Sequence, residues 1–198
     1  MRVTVLDYGA GNIHSIAKAL AAAGGSVSVE SDPLSAIDTD LLVLPGVGAF
    51  GHAADRLAPA RQRVAAAIRA GLPTLGVCLG MQLLFDSSEE GAGAGLGVFT
   101  GHVTRLRASR SPQIGWNRLD DATDIAAASA ALESAYYANS VACRPGDLSI
   151  VTAWSTHESD RFPAIVRCGT AIGVQFHPEK SSAPGLAFLR AVLTEVGP

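Results

Sequence analysis

Residues 76–80 read Gly-Val-Cys-Leu-Gly, between an apolar run that ends at Val77 and another that begins at Leu79. Free cysteine is commonly a small buried residue, and that is one reading of Cys78. The spacing supplies another. G-x-C-x-G is the cysteine counterpart of a nucleophile elbow, a tight strand-to-helix turn that projects its central side chain from the carboxyl edge of a sheet. The first glycine lets neighbouring backbone come close, and the second lets the helix start without a clash. A helix N-terminus beside the sulfur favours thiolate over thiol. A second stretch, "QFHPE" (175–179), sets His177 and Glu179 on either side of Pro178. Proline pushes the residue before it out of the α region, so the segment is predicted to be extended, with His177 and Glu179 on one face. Glu179 then accepts a hydrogen bond from one ring nitrogen and fixes the tautomer, leaving the other nitrogen to take a proton from a thiol. Alone, His-Pro-Glu reads first as a surface turn with a solvated ion pair. With an elbow cysteine in the same chain, the three make a nucleophile, a base and an orienter.

A cysteine nucleophile acting on a carbonyl also needs donors for the oxyanion. The backbone N–H of Leu79 is one candidate. "PGVGAFG" (45–51) follows a buried run and could bring a second, although the same stretch reads equally as an ordinary glycine-rich turn. His14, His52, His102 and His157 each lack a partner at ligand spacing, and Cys78, Cys143 and Cys168 are odd in number and far apart. Neither a metal site nor a disulfide framework is expected.

The elements that must position these groups are legible as alternating runs. Strands are predicted at 2–7, 26–30, 40–46 and 73–78, and helices at 12–24, at 52–71 with an interruption at Pro59, and at 81–86. This βαβαβ rhythm implies a parallel sheet with helices on both faces. A flexible loop is predicted at 87–97. Short strand-like runs follow at 97–106, 135–143, 148–154, 164–168 and 171–176, and a closing helix at 183–196. The fold class is therefore α/β: an open, mostly parallel sheet flanked by helices, with additional antiparallel strands in the C-terminal half, all within one domain spanning 1–198. The 198 residues are 48% apolar and 17% charged, less than the usual ~25%, as suits a compact globular chain. Fifteen basic against 18 acidic residues give a net charge of −3 with no basic stripe, so nucleic acid is not an expected partner. No apolar run approaches the ~20 residues that span a bilayer, and the N-terminal run ends too early for a signal peptide. A cytoplasmic location without membrane association is expected.

"LDYGAGN" (6–12), "LPGVGAFG" (44–51), "GVCLGMQLLF" (76–85), "GWN" (115–117) and "QFHPEKSS" (175–182) together resemble the class I, triad-type glutamine amidotransferases. Within them the chain is similar to the glutaminase subunits of imidazole glycerol phosphate synthases. The resemblance runs nearly end to end. It implies that Cys78 attacks the side-chain amide of glutamine, that His177 shuttles protons, and that Glu179 orients His177. It implies that Gln82 and the backbone of Gly48 and Leu79 hold the substrate, and that the backbones of Val47 and Leu79 form the oxyanion hole. No cofactor is implied. The implied partner is a separate (β/α)₈ cyclase that consumes the ammonia, met through motifs containing Asn12, Trp116 and Lys180.

Two stretches depart from the family pattern. "QIGWN" (113–117) stands where H-M-G-W-N is usual, and "YYANSVA" (136–142) where a V-H-S-Y-like strand is usual. The backbone of that strand, at Ser140 and Val141, is implied in holding the amino-acid end of glutamine, with Asn139 in the histidine's place. Rival readings are a triad glutaminase serving another synthase, a catalytically silent scaffold subunit, and a cysteine peptidase. The intact triad counts against the scaffold, and the two glycine-rich turns argue for a small amide over a peptide.

Overall fold

The computed structural model describes residues 1–9 and 11–197; Ala10 of the "DYGAGN" motif lies outside the described residues. The N-terminal half alternates as expected: β1 (Arg2–Leu6), α1 (Ile13–Ala23), β2 (Ser26–Glu30), α2 (Pro33–Ala36), β3 (Leu41–Leu44), α3 (Phe50–Leu57), α4 (Arg61–Arg69), β4 (Thr74–Val77) and α5 (Leu79–Leu83). The break between α3 and α4 falls at Pro59, as its missing N–H dictates. The C-terminal half holds β5 (Ser87–Ser88), β6 (Gly101–Arg105), β7 (Gln113–Arg118), α6 (Ile125–Ser129), β8 (Ser134–Asn139), β9 (Val141–Pro145), β10 (Val151–His157), β11 (Asp160–Cys168), β12 (Ala171–Val174) and α7 (Ser182–Val196).

The main sheet has seven strands in the order β10-β11-β12-β4-β3-β1-β2. From β12 to β2 the pairing is parallel; β11 and β10 complete the sheet as an antiparallel hairpin. The continuous apolar run of β3 explains its central place. Leu41 and Val43 enter one core with Ile16 and Leu20 of α1 and Phe188 and Leu189 of α7. Leu42 and Leu44 enter the opposite core with Phe50 and Leu57 of α3 and Val64 and Ile68 of α4. A strand buried on both faces cannot alternate polar with apolar, and this one does not. β5, β6 and β9 form a second small sheet, and β7 with β8 a two-stranded ribbon.

Four expectations need correction. The run expected at 135–143 is broken at Ser140 into β8 and β9, which belong to different sheets. The loop predicted at 87–97 is tied down: Ser87 and Ser88 pair in parallel with β6, and the amides of Gly95, Leu96 and Gly97 donate to Asp86, Leu83 and Phe85. The run at 148–154 begins as a 3-10 turn, Leu148–Ile150, capped by the Asp147 side chain, before β10 starts. The His-Pro-Glu segment is extended only at His177. Pro178–Lys180 is a 3-10 turn with proline at its first position, closed by Lys180 N–H on the His177 carbonyl at 3.0 Å.

Candidate active site

Four neighbouring parallel strands deliver the site at their carboxyl ends. β1 leads to Tyr8, β3 to Gly46 and Val47, β4 to Cys78, and β12 to Gln175 and His177. Cys78 caps α5 at φ 49°, ψ −101°, a conformation that a side-chain-bearing residue rarely adopts. Such a position stores about 1–3 kcal/mol of strain and persists only where surrounding structure enforces it. The flanking glycines show how. A Cβ on Gly80 would sit 1.9 Å from the Leu44 carbonyl oxygen, and one on Gly76 would sit 2.7 Å from Gly80 backbone. The strand, the turn and the helix are thus closer than any larger residue allows. Cys78 itself is 6% exposed, open enough to be reached from one side.

His177 is fully buried, with its backbone N–H held by the Tyr136 carbonyl at 2.8 Å. Its Nδ1 lies 2.8 Å from Glu179 Oε1. The predicted pairing therefore exists, although the 3-10 turn achieves it where a shared strand face was expected. Ser181 clamps this turn: its buried hydroxyl donates to the His177 carbonyl at 2.7 Å and accepts from Tyr136 N–H at 2.9 Å. Glu179 Oε1 also accepts from Asn12 Nδ2, while Oε2 is buried without a partner. His177 Nε2 makes no well-formed hydrogen bond, and its neighbour is the Cys78 sulfur. Burial alone would push the imidazole's pKa down. Cys78 and then Glu179 outweigh it and raise it to about 9. A cationic imidazole beside a sulfur is the arrangement that stabilises thiolate.

The turn expected to supply an oxyanion donor lies across the Leu79 N–H. Leu79 N–H points at the Gly46 carbonyl oxygen at 3.5 Å. Across a trans peptide the N–H opposes the C=O, so Val47 N–H points away from the sulfur. Both flanks of this peptide are pinned. The Tyr8 hydroxyl donates to the Pro45 carbonyl, and Gly11 N–H donates to the Val47 carbonyl at 2.7 Å. The Gly46–Val47 unit lies between these two anchors, its carbonyl facing Leu79 N–H.

A cavity of about 90 Å³ opens beside the sulfur, lined by Val47, Gly48, Leu79, Gln82, Asn139 and Glu90 among others. It adjoins a larger one of about 250 Å³, and Glu90, Ser140 and Val141 line both. The substrate residues expected from the sequence therefore do converge. The Ser140 carbonyl accepts from Leu106 N–H at 2.9 Å and the Val141 carbonyl from Asn139 Nδ2 at 3.0 Å. The two departures from the family pattern are one feature: Gln113 and Asn139 are cross-strand partners in the β7–β8 ribbon, both buried, each with an unpartnered carbonyl oxygen. Of the residues expected at a partner face, Trp116 is 54% exposed, and its ring meets Tyr136 edge-on at 6.5 Å. Lys180 stands over the same Tyr136 ring at 5.9 Å. Asn12 instead reaches into the triad.

Sequence reasoning missed Tyr8, Glu90, Gln175 and Ser181. Tyr8 and Ser181 lie within or beside quoted motifs, and a buried hydroxyl in such a turn is the signal that could have found them. Glu90 carries no local signal, because a loop brings it to the cavity. Among the described residues, no group of three or more His, Cys, Asp or Glu side chains could hold a metal ion.

Comparison with known proteins points to one family. The family profile described as "Glutamine amidotransferase class-I" matches residues 4–195. The imidazole glycerol phosphate synthase subunit HisH of Pyrococcus furiosus is 40% identical over 192 residues, covering 96% of this chain and 96% of the relative. The subunit of the same name from Thermus thermophilus is 42% identical over 196 residues, covering 96% and 95%. Two solved structures share the fold at low identity. A glutamine amidotransferase superposes with a TM-score of 0.77 at 20% identity over all of both chains. The PurLQS structure from Thermotoga maritima gives 0.76 at 21% identity over 99% of both chains. With its elbow cysteine, its buried His–Glu pair and a profile match over nearly its whole length, the chain belongs to the class-I glutamine amidotransferases.

Proposed function

We propose that this chain is the glutaminase subunit of an imidazole glycerol phosphate synthase, acting as one domain in the cytoplasm. The Cys78 thiolate attacks the side-chain amide carbon of glutamine, and the carbonyl electron pair moves onto oxygen. His177 gives its proton to the amide nitrogen as the intermediate collapses. Ammonia leaves, and a γ-glutamyl thioester remains on Cys78. His177 then takes a proton from water, the hydroxyl adds to the thioester, and glutamate departs as the thiolate is restored. Glu179 keeps Nδ1 protonated, so that Nε2 handles both transfers. Leu79 N–H and a turned-over Val47 N–H stabilise the oxyanion. Gln82 and Gly48 hold the substrate amide end, and Ser140 and Val141 flank the amino-acid end. Glu90 is the carboxylate that lines both cavities, which suits it to face the substrate ammonium. The ammonia passes to a cyclase subunit, met near Asn12, Trp116 and Lys180, which makes imidazole glycerol phosphate and aminoimidazole carboxamide ribotide in histidine biosynthesis.

The observation that supports this reading most is the buried His177–Glu179 pair set against an elbow cysteine, in a chain about 40% identical to HisH proteins over nearly its whole length. The test is reconstitution with a cyclase. The wild-type complex should make product from glutamine or from ammonium salt, and the Cys78→Ala complex from ammonium salt alone. Product from glutamine in the Cys78→Ala complex would remove Cys78 from the mechanism. If glutamine supports no synthesis even in the wild-type complex, the chain serves a different synthase or none.

A further inference from the structure

We propose that Gln175 is a positioning residue for the nucleophile: its side-chain amide donates to the Cys78 sulfur and steadies the thiolate form. Gln175 lies one residue past β12, beside β4 in the sheet. Cys78 N–H donates to the Val174 carbonyl at 2.7 Å, and Gln175 N–H donates to the Ala164 carbonyl at 2.9 Å. The backbones are therefore fixed with residue 175 next to residue 78. Its Nε2 is 3.4 Å from Cys78 Sγ. The side chain is fully buried, and its Oε1 has no partner. A buried amide with one end unused is unfavourable, and an apolar side chain of similar size would fill the space without that penalty. The end that is used touches the reacting atom. Sulfur accepts far better as thiolate than as thiol, so a donor held there favours the anion.

The other titratable groups around the sulfur do not duplicate this role. Burial holds Tyr8 and Cys143 protonated and neutral, and the charge on the sulfur pushes both further that way. Glu90, which lines the same cavity, is a carboxylate and offers the sulfur no donor when ionised. Among the described residues His177, backed by Glu179, is the cationic donor at the sulfur, and it fades above about pH 9. Gln175 is neutral and holds its N–H at every pH. It also waits for the sulfur when the thioester breaks, since the leaving thiolate regains the bond as charge returns to it.

The mechanism's proton transfers rest on the glutaminase reading, but the contact itself can be tested without glutamine. The experiment is the pH dependence of Cys78 alkylation by iodoacetamide in the full chain, read by mass spectrometry of the peptide carrying Cys78. It compares wild type with Gln175→Met, which keeps length and loses the donor, and Gln175→Glu, which keeps shape and brings a carboxyl group. The Met profile should move up by about one pH unit, a hydrogen bond to a charged group expressed on the pH scale, and the Glu profile further. In the cyclase complex, turnover of glutamine should fall roughly tenfold with KM unchanged, by the same conversion. An unchanged or downward-shifted alkylation profile overturns the proposal. A third arm needs no variant: in the ¹⁵N-labelled wild type, the Gln175 side-chain amide resonance should move with pH at the midpoint of alkylation. A resonance that does not move overturns it even if both variants misfold. If the wild-type complex hydrolyses no glutamine while these shifts appear, the glutaminase reading fails and the contact stands.

Discussion

At the scale of single residues, the site is a balance between burial and pairing. His177 would be neutral if only its burial counted, and the sulfur and carboxylate on either side keep it charged. Its folded value lies above the unperturbed ~6.5, so the charged pair favours the folded state fully below about pH 6.5. That contribution drains away as pH rises toward about 9. Removing Cys78 removes the larger raising partner. In Cys78→Ala the His177 midpoint, followed by NMR, should fall below about 9; a midpoint unmoved by the substitution would mean that the sulfur is not its neighbour. Glu179→Gln should slow turnover by up to about 10⁴, the loss seen when an orienting carboxylate becomes an amide, with KM little changed. Wild-type turnover in that variant would take Glu179 out of the triad. The elbow strain is testable separately. With Cys78 at φ 49°, Cys78→Gly should be more stable than Cys78→Ala by about 1 kcal/mol, because glycine occupies that region freely. Equal midpoints in denaturant would show that the turn stores no strain.

At the scale of elements, tight backbone approaches set the geometry. Gly80 is the strictest of them, with the Leu44 carbonyl 1.9 Å from where a Cβ would be. Gly80→Ala must push β3 and α5 apart. It should cost about 3 kcal/mol or more, lowering Tm by roughly 6–12 °C in a chain of this size. A melting point within a degree or two of wild type would contradict the packing described for the elbow. These approaches were legible in the sequence because G-x-C-x-G names them. The His–Glu pairing was legible too, but its geometry was not. Proline keeps His177 extended, and the same residue is fit for the first position of the 3-10 turn that follows. Helices α2 and α6 escaped notice because four and five residues carry too little periodicity. Their caps were nevertheless written in the chain: Asp32 ahead of Pro33, accepting from Ser35 N–H, and Asp124 accepting from Ala127 N–H. Gln175, Glu90 and the Gln113–Asn139 pairing were beyond reach, because those contacts exist only once strands and loops distant in sequence are brought together.

At the scale of the whole molecule, the parallel sheet is the device that gathers the site. Motifs near residues 8, 46, 78 and 177 meet because β1, β3, β4 and β12 are neighbours that end on the same edge. The βαβ rhythm announced most of this. The insertion of β12 beside β4, which carries the histidine to the cysteine from 99 residues away, followed from no local pattern. We propose that the Gly46–Val47 peptide, its carbonyl facing Leu79 N–H, is the molecule's control point. With one oxyanion donor turned away and the other covered by a carbonyl, the free chain should be a slow glutaminase. A partner seated near Asn12, Trp116 and Lys180 can raise the rate only by binding the turned-over peptide more tightly than the blocked one. The most direct test of the account is the rate of glutamine hydrolysis by this chain alone and in complex with the cyclase and its nucleotide substrate. We expect turnover to rise by about 10²–10³ in the complex, the value of one oxyanion donor, with KM changing far less. An isolated chain that hydrolyses glutamine as fast as the liganded complex would contradict the blocked oxyanion hole as the source of control.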